Sequence, residues 1–526
     1  MNNDKYFYLW RNIQNKTEQF MKRRDFIKTG GAALIGTAML PHIVHAQMTD
    51  LHQISADLPG MLAHFGVTTN DLHRVITTAL EKGGDYADLY FEHTFMNSLG
   101  LQDGEVNRAT SNIQYGVGIR VVAGDQTGYA YVENVTMNDM LNAARTASRI
   151  ASSSARTPPV RVDEKKFKNH YPVVKSWEET NVSSKMPYLQ KLNDRIFALD
   201  PRVTKVNASI TDSTSYILYY NSEGALCHDY RPMVIMSGQC IMQDGDKIEN
   251  NNSSRAGRRD FTFLSDALIE EIAQEAVKST AILFNAVKPK GGEMPVVMAA
   301  GGSGILLHEA IGHAFEADFN RKNISIFSDK LNKKICDEHI NVVDDGTISG
   351  DRGSINFDDE GVESRKTYIV RNGVLTSYLH DRISAKHYNI APTGNGRRES
   401  FKHMPIPRMR STFLENGNYA EADIIANVKQ GVYLDKFTNG QVNIGAGDFT
   451  FFVKNGYLIE NGKLTQPIKD VNIIGNGPKA LADITMVANN LKIDQGAWTC
   501  GKDGQGAPVS QGLPSVLVKQ LTVGGE

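Results

Sequence analysis

The sequence predicts an α+β protein of several domains, with mixed and antiparallel sheets. Amphipathic helical segments separate long β-rich runs, and helices and strands do not alternate strictly one for one. Two Asn-Gly pairs, in YIVRNGVLT (368–376) and YLIENGKLT (457–465), lie between β-rich halves, which is the strongest short-range signal of a hairpin. A chain of 526 residues is long enough for two or three such domains.

Residues 1–46 are predicted to be a leader that ends in an export signal. Paired arginines in MKRRDFIK (21–28) precede a Gly- and Ala-rich apolar stretch and a small-residue cleavage site at 44–46. This order is typical of a twin-arginine signal, so we expect an exported, periplasmic protein. The alternative is an uncleaved anchor, although the apolar stretch is shorter than the roughly 20 residues of a span. After cleavage we expect no membrane span.

Residues 65–155 are predicted to form an N-terminal α/β domain. Apolar residues at helical spacing predict a helix over 68–82, and a second helix is predicted over 137–153. The β-rich runs YADLYFEHTF, QYGVGIRVVAG and TGYAYVENV lie between the two helices. The polar stretch that follows this unit is predicted to be a linker.

Two further domains are predicted after this linker. Residues 178–290 form a middle α+β domain, in which helices over 185–199 and 264–283 enclose long strands. Residues 292–526 form a C-terminal domain that begins with the strand PVVMAA, the turn GGSG and a helix, and continues mostly as strands. The turn lacks the Gly-Lys-Ser/Thr of a phosphate loop, so we do not expect nucleotide binding.

The overall composition excludes some classes of function. A net charge of -2 and the absence of any Lys- or Arg-dense run argue against a nucleic-acid partner. A hydrophobic content of 41% and a charged content of 22% are those of a globular protein. Four cysteines are too few for a disulfide framework in a chain of this length.

The stretch LLHEAIGHAFEAD (306–318) places His308 and His313 five residues apart, with Glu309 directly after the first. On a regular helix, at about 100° per residue, side chains five apart diverge by about 140° and do not chelate one ion. A local π turn, with an i to i+5 pattern, returns them to one face, and such turns occur disproportionately at functional sites. Gly312 eases that distortion because it has no Cβ.

The sequence around this pair is apolar, so the histidines need polar partners. An unsatisfied buried polar group costs about 1 to 3 kcal/mol. One interpretation is two separate histidines, each hydrogen-bonded to a neighbour; the other is a shared zinc ion, which at a catalytic site takes three protein ligands. Glu309 adjoins a ligand and is better suited to be the base. Candidates for the third ligand are Cys500 and Glu316, which rank level, and then Asp318, Cys336 and His339.

Several long motifs closely resemble the TldD branch of the TldD/PmbA family of metallopeptidases. They are LLHEAIGHAFEADFNRK, VVDDGT, PTGNGRRESFKHMPIPRM and TCGKDGQGAPVSQGLPSVLVKQLTVGG, and YADLYFE and GVGIRVVAGDQTGYAYV resemble the family's amino-terminal domain. The resemblance covers about 65–526 and implies a zinc peptidase with an HExxxH helix and a distant cysteine ligand. At the matching positions, His308, His313 and Cys500 would bind one zinc ion per chain, and Glu309 would be catalytic.

The resemblance also implies substrates and partners. We expect action on short or unfolded peptides, by a homodimer or by a heterodimer with a zinc-free paralogue. The alternative is a non-catalytic binding or regulatory subunit of such an assembly, but His308, Glu309 and His313 are all present. A structural zinc scaffold is a further alternative, and it would need a fourth ligand such as Glu316 or His339.

The expected mechanism is hydrolysis by a zinc-activated water whose proton passes to Glu309. A peptidase of this kind also needs donors for the oxyanion. The Gly-rich stretch GNGRRESFKH offers Arg397, Arg398 and His403 for that role. The alternative for these three residues is structural salt bridging.

Overall fold

The computed structural model describes residues 56–151, 153–154 and 157–524. These residues form an α+β structure with antiparallel and mixed sheets, which confirms the predicted fold class. The export signal predicted in 1–46 lies outside the described residues. Within the described ranges, no helix combines the length and apolar character needed to cross a membrane.

The first sheet contains seven strands. They are β1 (Tyr86–Gln102), β2 (Glu105–Ala123), β3 (Gln126–Val132), β4 (Asp163–Glu164), β5 (Val203–Asn221), β6 (Ala225–Asp244) and β7 (Lys247–Gly257). Their order is β3-β2-β1-β5-β6-β4, and β7 pairs with β6. Strand β1 is antiparallel to both β2 and β5 over most of its length. The segments before and after the predicted linker therefore contribute to one continuous sheet.

Five helices accompany this sheet. They are α1 (Leu58–Phe65), α2 (Thr69–Ala79), α3 (Met137–Ile150), α4 (Val182–Leu199) and α5 (Asp266–Ala281). The four predicted helices correspond to α2 to α5, with ends that differ by up to three residues. Side-chain caps fix several of the starts: Thr68 and Asp71 form a reciprocal capping box, and Ser265 accepts a hydrogen bond from the backbone of Leu268. Apolar residues of α4 and α5, among them Leu192 and Ile272, bury one face of the sheet.

The C-terminal region contains sixteen further strands and five short α-helices in the described residues. The strands are β8 (Gly292–Met298), β9 (Val342–Asp345), β10 (Lys366–Arg371), β11 (Val374–Leu375), β12 (Gly396–Arg397), β13 (Ile406–Pro407), β14 (Ser411–Leu414), β15 (Gln430–Val442), β16 (Asp448–Glu460), β17 (Lys463–Asn476), β18 (Ile484–Val487), β19 (Lys492–Ile493), β20 (Thr499–Lys502), β21 (Gln505–Pro508), β22 (Ser510–Leu513) and β23 (Val516–Gly524). The helices are α6 (Ile305–Leu307), α7 (Ala317–Arg321), α8 (Arg382–Tyr388), α9 (Glu421–Ala426) and α10 (Gly477–Ala482).

Two six-stranded sheets organise this region, with the orders β17-β16-β15-β8-β23-β18 and β11-β10-β9-β14-β22-β19. Strand β23 also pairs with β17, so five strands of the first of these sheets close into a ring. Both predicted hairpins are present. Asn372-Gly373 joins β10 to β11 and Asn461-Gly462 joins β16 to β17, and all four residues have positive φ, as a type I′ turn requires.

A group of buried charged residues connects the seven-stranded sheet to the C-terminal region. This junction cluster consists of Asp88, Arg120, Arg231, Asp359 and Glu360, all with less than 10% of their surface exposed. Arg120 donates from Nε to Asp88 Oδ2 at 3.0 Å and from Nη1 to Glu360 Oε1 at 2.7 Å. Arg231 donates from Nη1 to Asp359 Oδ1 at 2.7 Å. The sheet is thus fixed to the loop that carries Asp359 and Glu360.

Candidate metal centre

The segment that carries the two histidines contains the predicted π turn. Residues His308–Gly312 form one π-helical turn, and the backbone N–H of His313 donates to the carbonyl of His308. The two candidate ligands are therefore the two ends of one i to i+5 hydrogen bond. Their rings lie with centroids 5.1 Å apart and planes inclined by 84°. The widened turn brings the two imidazoles to one side of the helix, which a regular helix does not do.

Close packing against two glycines holds the backbone of this turn in place. A Cβ at Gly312 would lie 2.3 Å from Met409 Sδ, and a Cβ at Gly477 would lie 2.0 Å from the carbonyl oxygen of Ala310. Apolar side chains on the other faces of the segment, including Leu307 and Ile311, are almost fully buried. The turn is therefore fixed by the packed core of the C-terminal region.

Cys500 reaches the histidines from the hairpin of β20 and β21. Its Sγ lies 3.3 Å from Nε2 of His313. The hairpin is anchored by Arg408, a fully buried side chain whose Nη2 donates to the carbonyl of Cys500 and whose Nη1 donates to the carbonyl of Gln505 at 3.2 Å. Nothing in the sequence pattern around Arg408 indicated this role.

The three residues form a compact group of potential ligands. One ligand atom from each of His308, His313 and Cys500 lies within 4.8 Å of the others, and the three residues are 3 to 6% exposed. Among the residues that the structure describes, this is the one such group of three or more His, Cys, Asp or Glu side chains.

The donor set fits a zinc ion. Tetrahedral zinc with bonds of about 2.0 to 2.3 Å separates its ligand atoms by about 3.3 to 3.6 Å, close to the 3.3 Å between Cys500 and His313. Two imidazoles and a thiolate are ligands that zinc prefers. In addition, Nδ1 of His308 is buried without a hydrogen-bond partner in the described part of the chain.

Electrostatics in the group favour a thiolate. Burial opposes ionisation of Cys500, but His308 and His313 lower the pKa of its thiol well below the usual value. For His313, burial lowers the pKa of the ring. The neighbouring Glu316 and Cys500 outweigh this effect and raise that pKa well above the usual value. This arrangement pairs a thiolate with a positively charged imidazole. A divalent cation that bound here would displace protons from these side chains, so binding would release protons.

Glu309 is the most exposed member of the site. Its side chain is 23% exposed, and its Oε2 lies 3.9 Å from Nε2 of His313. The carboxylate therefore lies beside the ring nitrogen that also faces Cys500, on the solvent side of the buried group. A carboxylate in this place can exchange a proton with a water near the metal position.

The other candidates for a zinc ligand have other partners. Glu316 Oε2 accepts from Nδ1 of His313 at 3.0 Å and lies 3.0 Å from Nζ of Lys502. Asp318 Oδ1 accepts from Lys502 Nζ at 2.7 Å, and His339 Nδ1 lies 2.8 Å from Asp337 Oδ1. Cys336, buried in the same core, has its Sγ 3.9 Å from the carbonyl oxygen of Gly373. The sequence alone did not indicate a role for Lys502 either. The available signal was its position two residues after Cys500 in a strand, because side chains two apart point to the same face.

The predicted oxyanion donors lie in a different hydrogen-bond network. Arg397 donates from its two Nη atoms to the carbonyls of Met409 and Pro508, at 2.6 and 2.7 Å. Arg398 donates from Nη2 to the carbonyl of Asp359 at 2.9 Å, and Nδ1 of His403 lies 3.2 Å from Ser400 Oγ. Within the described residues, no hydrogen bond or ion pair joins these three side chains to His308, Glu309, His313 or Cys500.

Family comparisons cover most of the described chain. Models of the PmbA/TldA metallopeptidases match in three parts: domain 1 over residues 87–151, the central domain over 175–284 and the C-terminal domain over 291–525. The C-terminal match contains the π turn and the hairpin of Cys500.

Individual relatives agree with these matches. A protein of Haemophilus influenzae named "Metalloprotease TldD homolog" is 36% identical, covering 90% of this chain and 99% of its own length. A "Zinc metalloprotease TldD homolog" of Saccharolobus solfataricus is 27% identical over 86% of this chain and all of its own. The crystal structure of TldE from Thermococcus kodakarensis shares the fold with a TM-score of 0.69, at 20% identity over 86% of this chain and all of its own. The chain therefore belongs to the PmbA/TldA family of metallopeptidases, also called the TldD/PmbA family.

Proposed function

We propose that this chain is a zinc-dependent peptidase that hydrolyses peptide bonds in short or unfolded peptides. His308, His313 and Cys500 would hold one Zn²⁺ per chain, and Glu309 would be the general base. The observation that carries the proposal is the π turn that brings two buried imidazoles to one side, next to the thiol of Cys500. The name of the S. solfataricus relative supports zinc as the metal.

The proposed mechanism assigns a separate task to each residue. A zinc ion at this site supplies a Lewis acid that lowers the pKa of water and polarises a carbonyl group. Glu309 accepts the proton of the attacking water at its exposed carboxylate and later donates it to the leaving amine. The histidines and Cys500 hold their places because the turn and the hairpin are packed in the core.

The partners of the other acidic and basic residues support a catalytic centre over a structural one. A structural zinc site is usually closed by four protein ligands, whereas a catalytic site keeps one position for water. Glu316 is engaged by His313 and Lys502, and His339 is engaged by Asp337. Among the described residues, neither belongs to the compact group of potential ligands formed by His308, His313 and Cys500.

We further propose that the protein acts as a homodimer or as a heterodimer with a zinc-free paralogue, and that it is exported to the periplasm by the twin-arginine route. The fold shared with TldE is consistent with an assembly of related chains. The presence of Glu309, His308 and His313 favours the catalytic role over that of a non-catalytic subunit. The export proposal is supported by the leader sequence alone.

The proposal is tested by measuring zinc content and hydrolysis of unstructured peptides with purified protein. Glu309→Gln should keep one zinc per chain and lose about 10²- to 10⁴-fold in hydrolysis rate, because a general base contributes about that much. Glu338→Gln, an exposed glutamate outside the site, is the matched control and should be fully active. Unchanged hydrolysis in Glu309→Gln would exclude Glu309 as the base, and a wild-type chain without zinc would contradict the proposed site.

A further inference from the structure

His313 is contacted at both of its ring nitrogens. Nε2 faces Sγ of Cys500 at 3.3 Å, and Nδ1 faces Oε2 of Glu316 at 3.0 Å. Glu316 in turn lies 3.0 Å from Nζ of Lys502, through the same carboxylate oxygen. The ring is thus held between the metal position on one side and a buried ion pair on the other.

Lys502 and Cys500 belong to the same strand. They are two residues apart in β20, and side chains two apart in a strand point to the same face. One hairpin therefore places the thiol of Cys500 next to Nε2 of His313. It also places the ammonium group of Lys502 next to Glu316, which contacts Nδ1 of the same ring. A shift of this hairpin would move both contacts together.

The buried ammonium group of Lys502 is fully satisfied. Its side chain is 3% exposed, and a lysine has three N–H donors. The acceptors are Asp318 Oδ1 at 2.7 Å, the carbonyl oxygen of Pro407 at 2.9 Å and Glu316 Oε2 at 3.0 Å. Because burying a charge without such partners is costly, this lysine has a fixed position.

Glu316 is fixed as firmly. Its side chain is completely buried, its backbone is extended, and it forms a β-bridge with Leu379 directly after the turn of His313–Phe315. Oε2 of Glu316 faces both Nδ1 of His313 and the ammonium group of Lys502, so it accepts from both, and Nδ1 is the donor in its hydrogen bond with Glu316. Nε2 faces Cys500, and a metal ion bound there would take the place of its proton, which leaves a neutral ring held at Nδ1 by a carboxylate, the usual form of a metal-binding histidine.

We propose that Lys502 is a positioning residue for the metal centre: by holding Glu316, it fixes the orientation and tautomer of His313. This inference rests on the proposed zinc site. Carboxylates that orient a metal-binding histidine typically contribute 10- to 100-fold to metal affinity. Lys502 acts one contact further away, and it shares its hairpin with the third candidate ligand.

The test is a competition titration of the purified chain against a chromogenic zinc chelator. Compared with wild type, Glu316→Gln should raise the zinc Kd by about 10- to 100-fold and Lys502→Met by about 10-fold. Since Lys502 acts through Glu316, the double variant should bind no more weakly than Glu316→Gln alone. Lys519→Met, which alters an exposed lysine of β23, is the matched control and should leave the Kd unchanged.

A second readout reports the geometry directly. The cobalt-substituted protein has ligand-field and sulfur-to-metal absorption bands that depend on the arrangement of the ligands. Lys502→Met should shift these bands, whereas a loss of overall stability alone would leave them in place. The control Lys519→Met should give the wild-type spectrum.

Each outcome decides the question. An unchanged Kd and cobalt spectrum in Lys502→Met, or losses that add fully in the double variant, would overturn the inference. If Lys502→Met does not fold, two other variants decide in the same way. The double variant removes both charges, and Glu316→Gln leaves Lys502 paired with Asp318. A wild-type zinc Kd in either variant would overturn the inference. A wild-type chain that binds no zinc contradicts the proposed function itself, whereas zinc binding that is unaffected by Lys502→Met contradicts only this inference.

Discussion

The candidate metal centre and the junction cluster are both buried and both contain ionisable groups, but these groups are paired differently. In the junction cluster, the guanidinium groups of Arg120 and Arg231 form ion pairs with the neighbouring carboxylates. At the metal centre, the side chains closest together are two imidazoles and a thiol, and one imidazole nitrogen is unpartnered among the described residues. The carboxylates of the first cluster are ion-paired with guanidinium groups of the protein, whereas the second has the composition of a site that takes up a cation.

This difference distinguishes buried charged groups that stabilise the fold from buried groups that are available to bind a metal. Planar guanidinium groups hold carboxylates in fixed geometry and leave few lone pairs for a ligand. Neutral imidazole and thiolate are weakly satisfied by protein donors and bind soft or borderline metals well. We therefore expect changes in the junction cluster to affect stability and changes in the metal centre to affect zinc binding.

The largest effect is expected from Arg120→Met in the junction cluster. Asp88 and Glu360 would lose their buried guanidinium partner, and breaking such a pair costs about 3 to 5 kcal/mol in the free energy of unfolding. Arg195→Met is the control, because its pair with Glu270 is about 40% exposed and should contribute about 1 kcal/mol or less. Urea denaturation measures both. Zinc content should be retained in the folded protein, and equal costs for the two variants would refute the distinction.

The next effect is expected from Cys500→Ala at the metal centre. Removing one of the three proposed ligands should raise the zinc Kd by at least about 100-fold, or about 2.7 kcal/mol, the upper end of the range for residues that only orient a ligand. Cys336→Ala is the control, because this thiol is buried in the same core but away from the histidines. Chelator competition should show wild-type affinity for the control. Similar losses in both variants would point to a general packing defect.

The smallest effect is a dependence of stability on pH at Glu92, a buried residue of β1 whose Oε2 accepts a hydrogen bond from the backbone N–H of Phe401. Burial raises the pKa of Glu92 from about 4.5 to about 7. The folded chain therefore holds this proton more tightly than the unfolded chain, and its stabilising effect is lost as the pH rises from about 4.5 to 7. Glu92→Gln removes this titration, so between pH 5 and 7 the variant should gain about 1 to 2 kcal/mol of stability relative to wild type. Denaturation curves at several pH values measure this, with the exposed Glu105→Gln as control; parallel pH profiles for wild type and Glu92→Gln would argue against it.

Local features of this fold were predictable from sequence because their causes are local. The helix predicted over 68–82 is indicated by apolar residues at helical spacing, and each Asn-Gly pair specifies its own turn. The π turn was predictable because two histidines five apart in an apolar segment meet only if the turn widens. In each case, the determining contacts lie within a few residues.

Contacts between distant segments were not predictable in the same way. The pairing of β1 with β5 joins residues more than 100 positions apart, and no local pattern indicates that two segments share one sheet. The tie between Cys500 and Glu316 as third ligand has a physical explanation, since both contact the imidazole of His313, one at each nitrogen. Sequence spacing does not distinguish these two contacts. The role of Arg397, Arg398 and His403 as oxyanion donors stays a prediction.

The π turn has a consequence for how such sites are recognised in other chains. It accommodates one residue more than an α-helical turn does, so His308 and His313 stand where a regular helix would place histidines four positions apart. Metal-binding helices of that regular kind are recognised by their fixed spacing. A pattern search that insists on this count would overlook the present chain. The size of a single backbone hydrogen-bonded ring thus determines the sequence pattern in which a given metal-binding geometry appears.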